Sequence, residues 1–325
     1  MKKTSTLILA LALLISLALP FLVPSGALLD EANYQLLEER WQEEEDSGAL
    51  SWLIPSAAAQ PALEPLPMDF SPGRSLDPAG FTAEGYEDES ILVQLQTREE
   101  DGVRLRIATI SISDPSQLRT ATAGKPTSSK VALISSMAQK HNAVLALNAN
   151  YMNHDPVKNS FEYRMGVRIR KDPNRIKDLL IIDENADFHL FVKSNKKEIA
   201  AFEKAGHTIV NAFTFGPALV KDGVLLTIDK NYGYNPHGRE PRLAIGQLAP
   251  LQYIVVLVEG LTGRDGVTQQ EMAQILFDLG ARQAFNLDGG NSATLVFNGG
   301  YYQNKTKSNE RAQTDMIYFA SLAGE

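Results

Sequence analysis

Between residues 252 and 297 the sequence reads as strand, helix, strand and glycine-rich loop, and this run constrains the fold more than any other. QYIVVLV (252–258) is almost wholly apolar, as a strand buried on both faces is. Thr268 then begins a helix with Glu271 three residues on, the spacing of a capping box. Met272, Ile275, Leu276 and Leu279 share one helical face, and Gly280 closes the helix. RQAFNL (282–287) is the next strand, followed by the loop DGGNS. A strand, helix and strand of these lengths predict a right-handed parallel crossover. The expected fold is therefore α/β: a mixed sheet with a parallel β-α-β core unit and flanking helices, in a single catalytic-type domain. Loops 259–267 and 288–292 would leave the carboxyl ends of parallel strands, where open α/β sheets bind ligands. NANYMNHD (148–155) leaves the end of another apolar strand, AVLALN (143–148). Three loops rich in Asn, Asp and Gly are thus expected on one rim.

The rest of the chain organises around this unit. ILVQLQ (91–96) and VRLRIATISI (103–112) alternate as strands do. Further strands are expected at 179–182, 188–192 and 242–247, and a helix over 128–140 from the spacing of Val131, Ile134 and Ala138. At the other end, Lys2 and Lys3 precede TLILALALLISLALPFLV. Residues 1–29 read as a signal peptide or as an N-terminal membrane anchor through residues 5–23, with the body exported in either case. Residues 30–46 hold eight acids and one base, and residues 30–75 read as an acidic helix and a Pro/Ala-rich linker. The globular domain is expected over 76–325.

Composition excludes several chemistries. The 325 residues include no cysteine, so there is no disulfide scaffold, thiolate metal site or cysteine nucleophile. The net charge is −8, concentrated in the acidic neck, and no basic footprint points to nucleic acid. The five histidines are scattered without metal-ligand spacing, and no HExxH, GxSxG or P-loop occurs. DENAD (183–187) reads as a hairpin turn, because the later ligands of a calcium loop are missing. No metal and no cofactor are expected.

Each candidate residue carries two readings. Asp288, at a strand end before Gly289-Gly290, is a nucleophile, base or charge stabiliser, or else an ordinary Asp-Gly turn. Asn148 and Asn150 bind sugar hydroxyls through their amides, or cap local backbone groups. Arg242, which enters a strand after Pro241, clamps a phosphate, or forms an ion pair with Glu240 or a neighbour. Glu271 is an acid/base candidate, or only the partner of Thr268 in its capping box.

AVLALNANYM, FTFGPALVKDG, PRLAIGQ, the capped helix, NLDGGNSATLVFNGG and NERAQTDMIYFA occur in that order. This series resembles the phosphodiester glycosidase family over roughly residues 85–322, and NLDGG after a capped helix is its most specific piece. The resemblance places Asn148, Gly216 in the FGP segment, Arg242, Glu271, Asn286, Asp288, Gly289, Gly290, Ser292 and Arg311 around a pocket. Three departures stand out: Asn148-Ala149-Asn150 replaces Asn-Gly-Asp or Asn-Gly-Gly, Glu259-Gly260-Leu261 replaces Asp-Gly-Arg, and Asn291 replaces a glycine. Arg264 is a candidate substitute for the missing arginine.

The resemblance implies an exported glycoside hydrolase. Its substrate would be a sugar of the N-acetylglucosamine type, linked through its anomeric carbon to a phosphodiester in envelope or extracellular polysaccharide. Phosphate is a good leaving group, so the needs are a cation for its charge and a carboxylate at the anomeric centre. Asp288 takes the second role in this reading. Arg242, with Arg311, takes the first, Asn148 and Asn286 hold sugar hydroxyls, and Glu271 is a reserve acid/base. The rival is a non-catalytic envelope glycan-binding protein on the same fold, and a hydrolase acting on other envelope sugars is a third possibility.

Overall fold

Most of the apolar runs are strands covered on both faces, and among the described residues the cover is supplied by three sheets and three helices. The computed structural model describes residues 72–125, 130–149, 160–173, 177–261, 265–305 and 308–323. The chain divides into two units, Met1–Pro61 and Ala62–Glu325, and every described residue falls in the second. The readings of residues 1–71 as leader, acidic helix and linker lie outside the described residues, as do Asn150 and Arg264. Among the described residues no helix is long and apolar enough to cross a membrane.

In chain order the strands begin with β1 (Gly85–Glu87), β2 (Ile91–Glu100), β3 (Val103–Ile112) and β4 (Leu118–Thr122). Helix α1 (Ile134–Lys140) and β5 (Ala143–Asn148) follow. Next come β6 (Phe161–Arg164), β7 (Val167–Lys171), β8 (Asp178–Asp183), β9 (Phe188–Phe191), α2 (Lys196–Lys204) and β10 (Ile209–Phe215). Then come β11 (Ala218–Lys221), β12 (Val224–Leu225), β13 (Arg242–Ala249), β14 (Gln252–Gly260), α3 (Gln269–Asp278) and β15 (Gln283–Leu287). The last are β16 (Leu295–Phe297), β17 (Gly300–Tyr301) and β18 (Asp315–Ala320).

These strands form an eight-stranded sheet ordered β1-β2-β3-β14-β13-β15-β11-β12, and two five-stranded sheets ordered β7-β6-β10-β8-β9 and β17-β16-β5-β18-β4. One core joins all three: Val93, Ile110 and Val255 from the first, Leu180 and Phe213 from the second, Leu145, Leu147 and Ile317 from the third. Each sheet is backed by a helix on its other face. Met272 and Leu276 of α3 pack on Ile254 and Val256. Ile134 and Met137 of α1 pack on Ala146 and Met316. Ile199 of α2 packs on Leu179 and Ile181. Burial on both faces, with neighbouring residues assigned alternately to core and helix, explains why AVLALN and QYIVVLV show no polar alternation.

The parallel core unit is the expectation that fails. The strand pairings are antiparallel, so the fold is a helix-backed set of antiparallel sheets. β14 and β15 do run in the same direction, because both are antiparallel to β13, but β13 lies between them. The cause is local. β13 and β14 are joined by a tight hairpin in which Ala249 pairs with Gln252 and Leu251 takes a φ of 60°. That hairpin fills the slot beside β14 before the chain returns from α3. The helix expected over 128–140 is also shorter, starting at Ile134, because Ala132 is drawn into an antiparallel bridge with Gln313.

Candidate functional site

Placing β13 between β14 and β15 sets the site. Its first residue, Arg242, pairs with Val258, near the end of β14, and Leu243 pairs with Leu287, the end of β15. The entrance to one strand thus lies beside the exits of two others. A cavity of about 350 Å³ opens there, lined by Phe215, Tyr234, Asn235, Glu240, Arg242, Asn286, Leu287, Asp288, Gly289, Gly290, Asn291 and Arg311.

The DGG loop fits this place because it lacks side chains. A Cβ on Gly289 would lie 2.7 Å from the carbonyl oxygen of Pro241, closer than packed atoms allow. Gly290 takes a φ of 57° and donates its N–H to that same oxygen at 2.7 Å. The loop therefore packs directly on the backbone of Pro241, and Glu240 and Asp288 both border the cavity. On the opposite side Asp288 donates its backbone N–H to Ala149 at 3.3 Å. The amide of Asn148 donates to the carbonyl of Asp288 at 2.8 Å and accepts from the N–H of Thr294 at 2.8 Å. The rims at 148 and 288 converge as expected. Asn148, fully buried, spends its amide on backbone, which matches the capping reading.

Two polar atoms in the cavity wall stand out. Asp288 Oδ2 and Asn286 Oδ1 are buried and have no hydrogen-bond partner among the described residues. A buried polar atom without a partner costs about 1–3 kcal/mol, so each of these two oxygens calls for a donor such as water or a ligand. The Asn286 amide nitrogen donates to the carbonyl of Gly216 at 3.0 Å, which aims its oxygen away from the FGP segment. Burial is the strongest influence on the Asp288 carboxyl and raises its pKa above the ordinary aspartate value. The Ser292 hydroxyl and the Arg311 charge pull it down, and Glu240 pushes it further up. Arg311 Nη1 also donates to Ser292 Oγ at 3.3 Å, so the arginine and the buried serine approach Asp288 together.

Arg242 lines the cavity wall, yet its donors point elsewhere. Nε donates to Val267 O at 3.1 Å, Nη1 to Tyr234 O at 3.2 Å, and Nη2 to Asn235 O at 2.7 Å and Gly238 O at 3.0 Å. Nη1 also pairs with Glu240 Oε1 at 2.7 Å. A guanidinium has five N–H bonds; four hydrogen bonds go to backbone carbonyls, and the ion pair with Glu240 adds to them. The ion pair with Glu240 is the second of the two sequence readings, although the arginine is buried rather than on the surface. Its observed work is to hold the segment 234–240 against the start of β13.

Glu271 is not among the cavity-lining residues. It accepts from the N–H of Thr268 at 2.8 Å and pairs with Arg239 at 2.7 Å, so the capping box is formed. Against the push of partial burial, these bonds hold its carboxyl below the usual glutamate pKa. Leu261, where the resemblance expects an arginine, donates its N–H to Gly102 and is not among the cavity-lining residues. Glu259 pairs with Arg106 at 2.7 Å.

The segment 234–240 carries what sequence reasoning missed. Tyr234 stacks on Phe215, with ring centroids 4.3 Å apart and planes 10° apart, and Lys177 Nζ sits 3.8 Å from its ring centroid. Glu240, read only as a partner for Arg242, is a second carboxylate on the cavity. No spacing signals these residues, because their position depends on β13 lying between two strands that follow it in sequence.

A family model described as phosphodiester glycosidase matches residues 141–320. The SPbeta prophage-derived uncharacterized protein YomE of Bacillus subtilis (strain 168) is 33% identical over 108 residues, 33% of this chain. The match spans 17% of that relative's length. Among solved structures, the zebrafish N-acetylglucosamine-1-phosphodiester alpha-N-acetylglucosaminidase catalytic domain, auto-inhibited by its pro-peptide, aligns with a TM-score of 0.57 at 18% identity. That alignment covers 74% of this chain and 87% of the other. A hypothetical protein from Synechocystis aligns with a TM-score of 0.54 at 16% identity, covering 71% and 62%. At these identities the structural likeness is one of fold.

Proposed function

This chain belongs to the phosphodiester glycosidase family, and from that premise we propose that it hydrolyses a sugar linked through its anomeric carbon to a phosphodiester. The observation that carries the reading is the Asp288 carboxyl, desolvated, with a buried unpartnered oxygen, on a residue lining a cavity that a cation also borders. In the proposed reaction the bond from the anomeric carbon to the phosphate oxygen breaks. Water supplies the new oxygen on that carbon, and the phosphate leaves as a monoester. Asp288, ionised, faces the positive charge that develops at the anomeric carbon, as nucleophile or base. Arg311 neutralises the departing phosphate, since the donors of Arg242 are engaged by backbone and Glu240. Asn286 Oδ1 accepts from a sugar hydroxyl. Glu240 is the second carboxylate and activates water or assists the leaving group. Arg242 acts through the loop it holds and is a positioning residue.

The sugar is of the N-acetylglucosamine type, and the protein is exported to act on envelope or extracellular glycan, through the leader or anchor expected in residues 1–29. One feature favours the rival, binding without turnover: the leucine at 261 in place of the family's arginine. Incubating the protein with a panel of sugar-1-phosphodiesters separates the two. Release of reducing sugar by the parent, abolished in Asp288→Asn with the melting temperature kept, is the expected result. Saccharide binding without release by the folded parent points to the rival.

A further inference from the structure

Asp183, His189 and His207 are brought to one point by three different segments. Asp183 ends β8, His189 lies on β9, and His207 precedes β10 in the loop after α2. The carboxylate is buried, and its Oδ1 accepts from the N–H groups of Asn185 at 2.9 Å and Asp187 at 3.0 Å. Its Oδ2 lies 2.9 Å from His189 Nε2 and 3.3 Å from His207 Nδ1. The three donor atoms all lie within 4.8 Å of one another. Phe202 fixes both imidazoles, stacking on His207 at 4.5 Å and meeting His189 edge-on at 4.7 Å.

We propose that these three side chains form a site for a divalent transition metal of the zinc type, with a fourth position open to water. Zinc held at about 2.0–2.1 Å by nitrogen and oxygen ligands sets neighbouring tetrahedral donors about 3.3–3.4 Å apart. The two donor separations at Asp183 Oδ2 are already close to that. The second imidazole brings another ring nitrogen to a buried oxygen that His189 already partners, so three ligand-type atoms converge at one point. The remaining carboxylate oxygen is held by two backbone N–H groups, the support that orients a metal-binding carboxylate. The histidine side chains are 30% and 38% exposed, which leaves an entry path. Two imidazoles and a carboxylate suit zinc and its neighbours rather than calcium or magnesium.

The site is not on the cavity. It lies at the turn that docks the β7-β6-β10-β8-β9 sheet on the eight-stranded one, where Gln247 donates to Asp187 at 2.7 Å and Tyr253 donates to Ala186 at 2.9 Å. Metal binding would tie that turn to the α2–β10 loop and stabilise the folded state.

The test uses the purified full chain, free of any histidine tag and stripped with a chelator. Zinc is titrated calorimetrically, and cobalt(II) is added as a spectroscopic probe. Expected are one saturable zinc site, a raised melting temperature, and visible cobalt bands of a low-coordinate nitrogen–oxygen site. His207→Ala, at the most exposed ligand, lowers zinc affinity by more than the about 10–100-fold that supporting residues command, and removes the cobalt bands. His189→Gln does the same. The absence of saturable zinc binding, or unchanged affinity and cobalt bands in His207→Ala, overturns the proposal.

Discussion

Asp288 owes its character to neighbours that act in opposite senses, and this makes its role measurable. Burial raises its pKa above the ordinary value of about 3.9. An ionised Asp288 is required in the proposed reaction, so the acid limb of the activity profile should lie above that value. Glu240 raises the pKa and Arg311 lowers it. Glu240→Gln should therefore move the acid limb to lower pH, and Arg311→Met should move it to higher pH, whatever either change does to the maximum rate. The pH dependence of kcat/KM in the three proteins checks this, and a limb unmoved by both changes would remove Asp288 from the titration. Gly289 offers a second check at this scale. Its missing Cβ would meet Pro241 O at 2.7 Å, so Gly289→Ala should cost about 1–3 kcal/mol in denaturant titration. The cavity residues Asn286, Asp288 and Arg311 were legible as a group because the motif order singled them out. Their division of labour was not. Whether Arg242 and Asn148 face a ligand or are saturated by backbone depends on which carbonyls and N–H groups a distant segment brings to them, and nothing in the local sequence states that.

The α3 helix was legible almost to the residue because its signals are local. Thr268 and Glu271 satisfy each other's backbone groups, and Gly280 follows the last turn. The same locality settles Glu271. Its carboxylate is occupied by the cap and by Arg239, so Glu271→Ala should lower stability by about 0.5–2 kcal/mol and leave kcat unchanged. Chemical denaturation beside a turnover assay tests both halves, and a large loss of kcat would return Glu271 to the site. The sheet around α3 was legible only in part. Strand positions at 103–112 and 143–148 agree with β3 and β5, since burial on both faces shows as apolar composition. Pairing was not legible, because an apolar strand buried on both faces looks the same in a parallel or an antiparallel neighbourhood. The information lay in the tight turn at Pro250-Leu251, which binds β13 to β14 and so displaces β15 by one position.

The candidate site draws on all three sheets: Phe215 ends β10, Asn286 and Leu287 end β15, and Arg311 leads into β18. Their relative placement therefore depends on how the sheets are joined, and one buried cluster joins two of them. Arg164 on β6 donates Nε to Asp315 Oδ2 on β18 at 2.7 Å and Nη1 to Ala212 O at 2.6 Å, and pairs with Glu162 at 3.2 Å. All three charged side chains are at most 2% exposed. Removing the arginine leaves two buried carboxylates without their cation, and breaking such a pair from one side costs about 3–5 kcal/mol. That is a large fraction of the about 5–15 kcal/mol that holds a domain folded. Arg164→Met should therefore lower stability by that order. The loss should also depend on pH. Burial raises the pKa of Asp315, and Arg164 opposes it, so the variant raises it further. A carboxyl with a raised folded-state pKa favours folding while protonated and loses that support as pH rises through the folded value. The deficit of the variant against the parent should thus grow from acid toward neutral pH. Asp315→Asn in the same background removes one of the two buried carboxylates and should reduce that growth and recover part of the loss. Denaturant titrations of parent, single and double variants across this range measure all three effects. A deficit independent of pH would mean that Arg164 joins the sheets by packing and backbone hydrogen bonds rather than by charge.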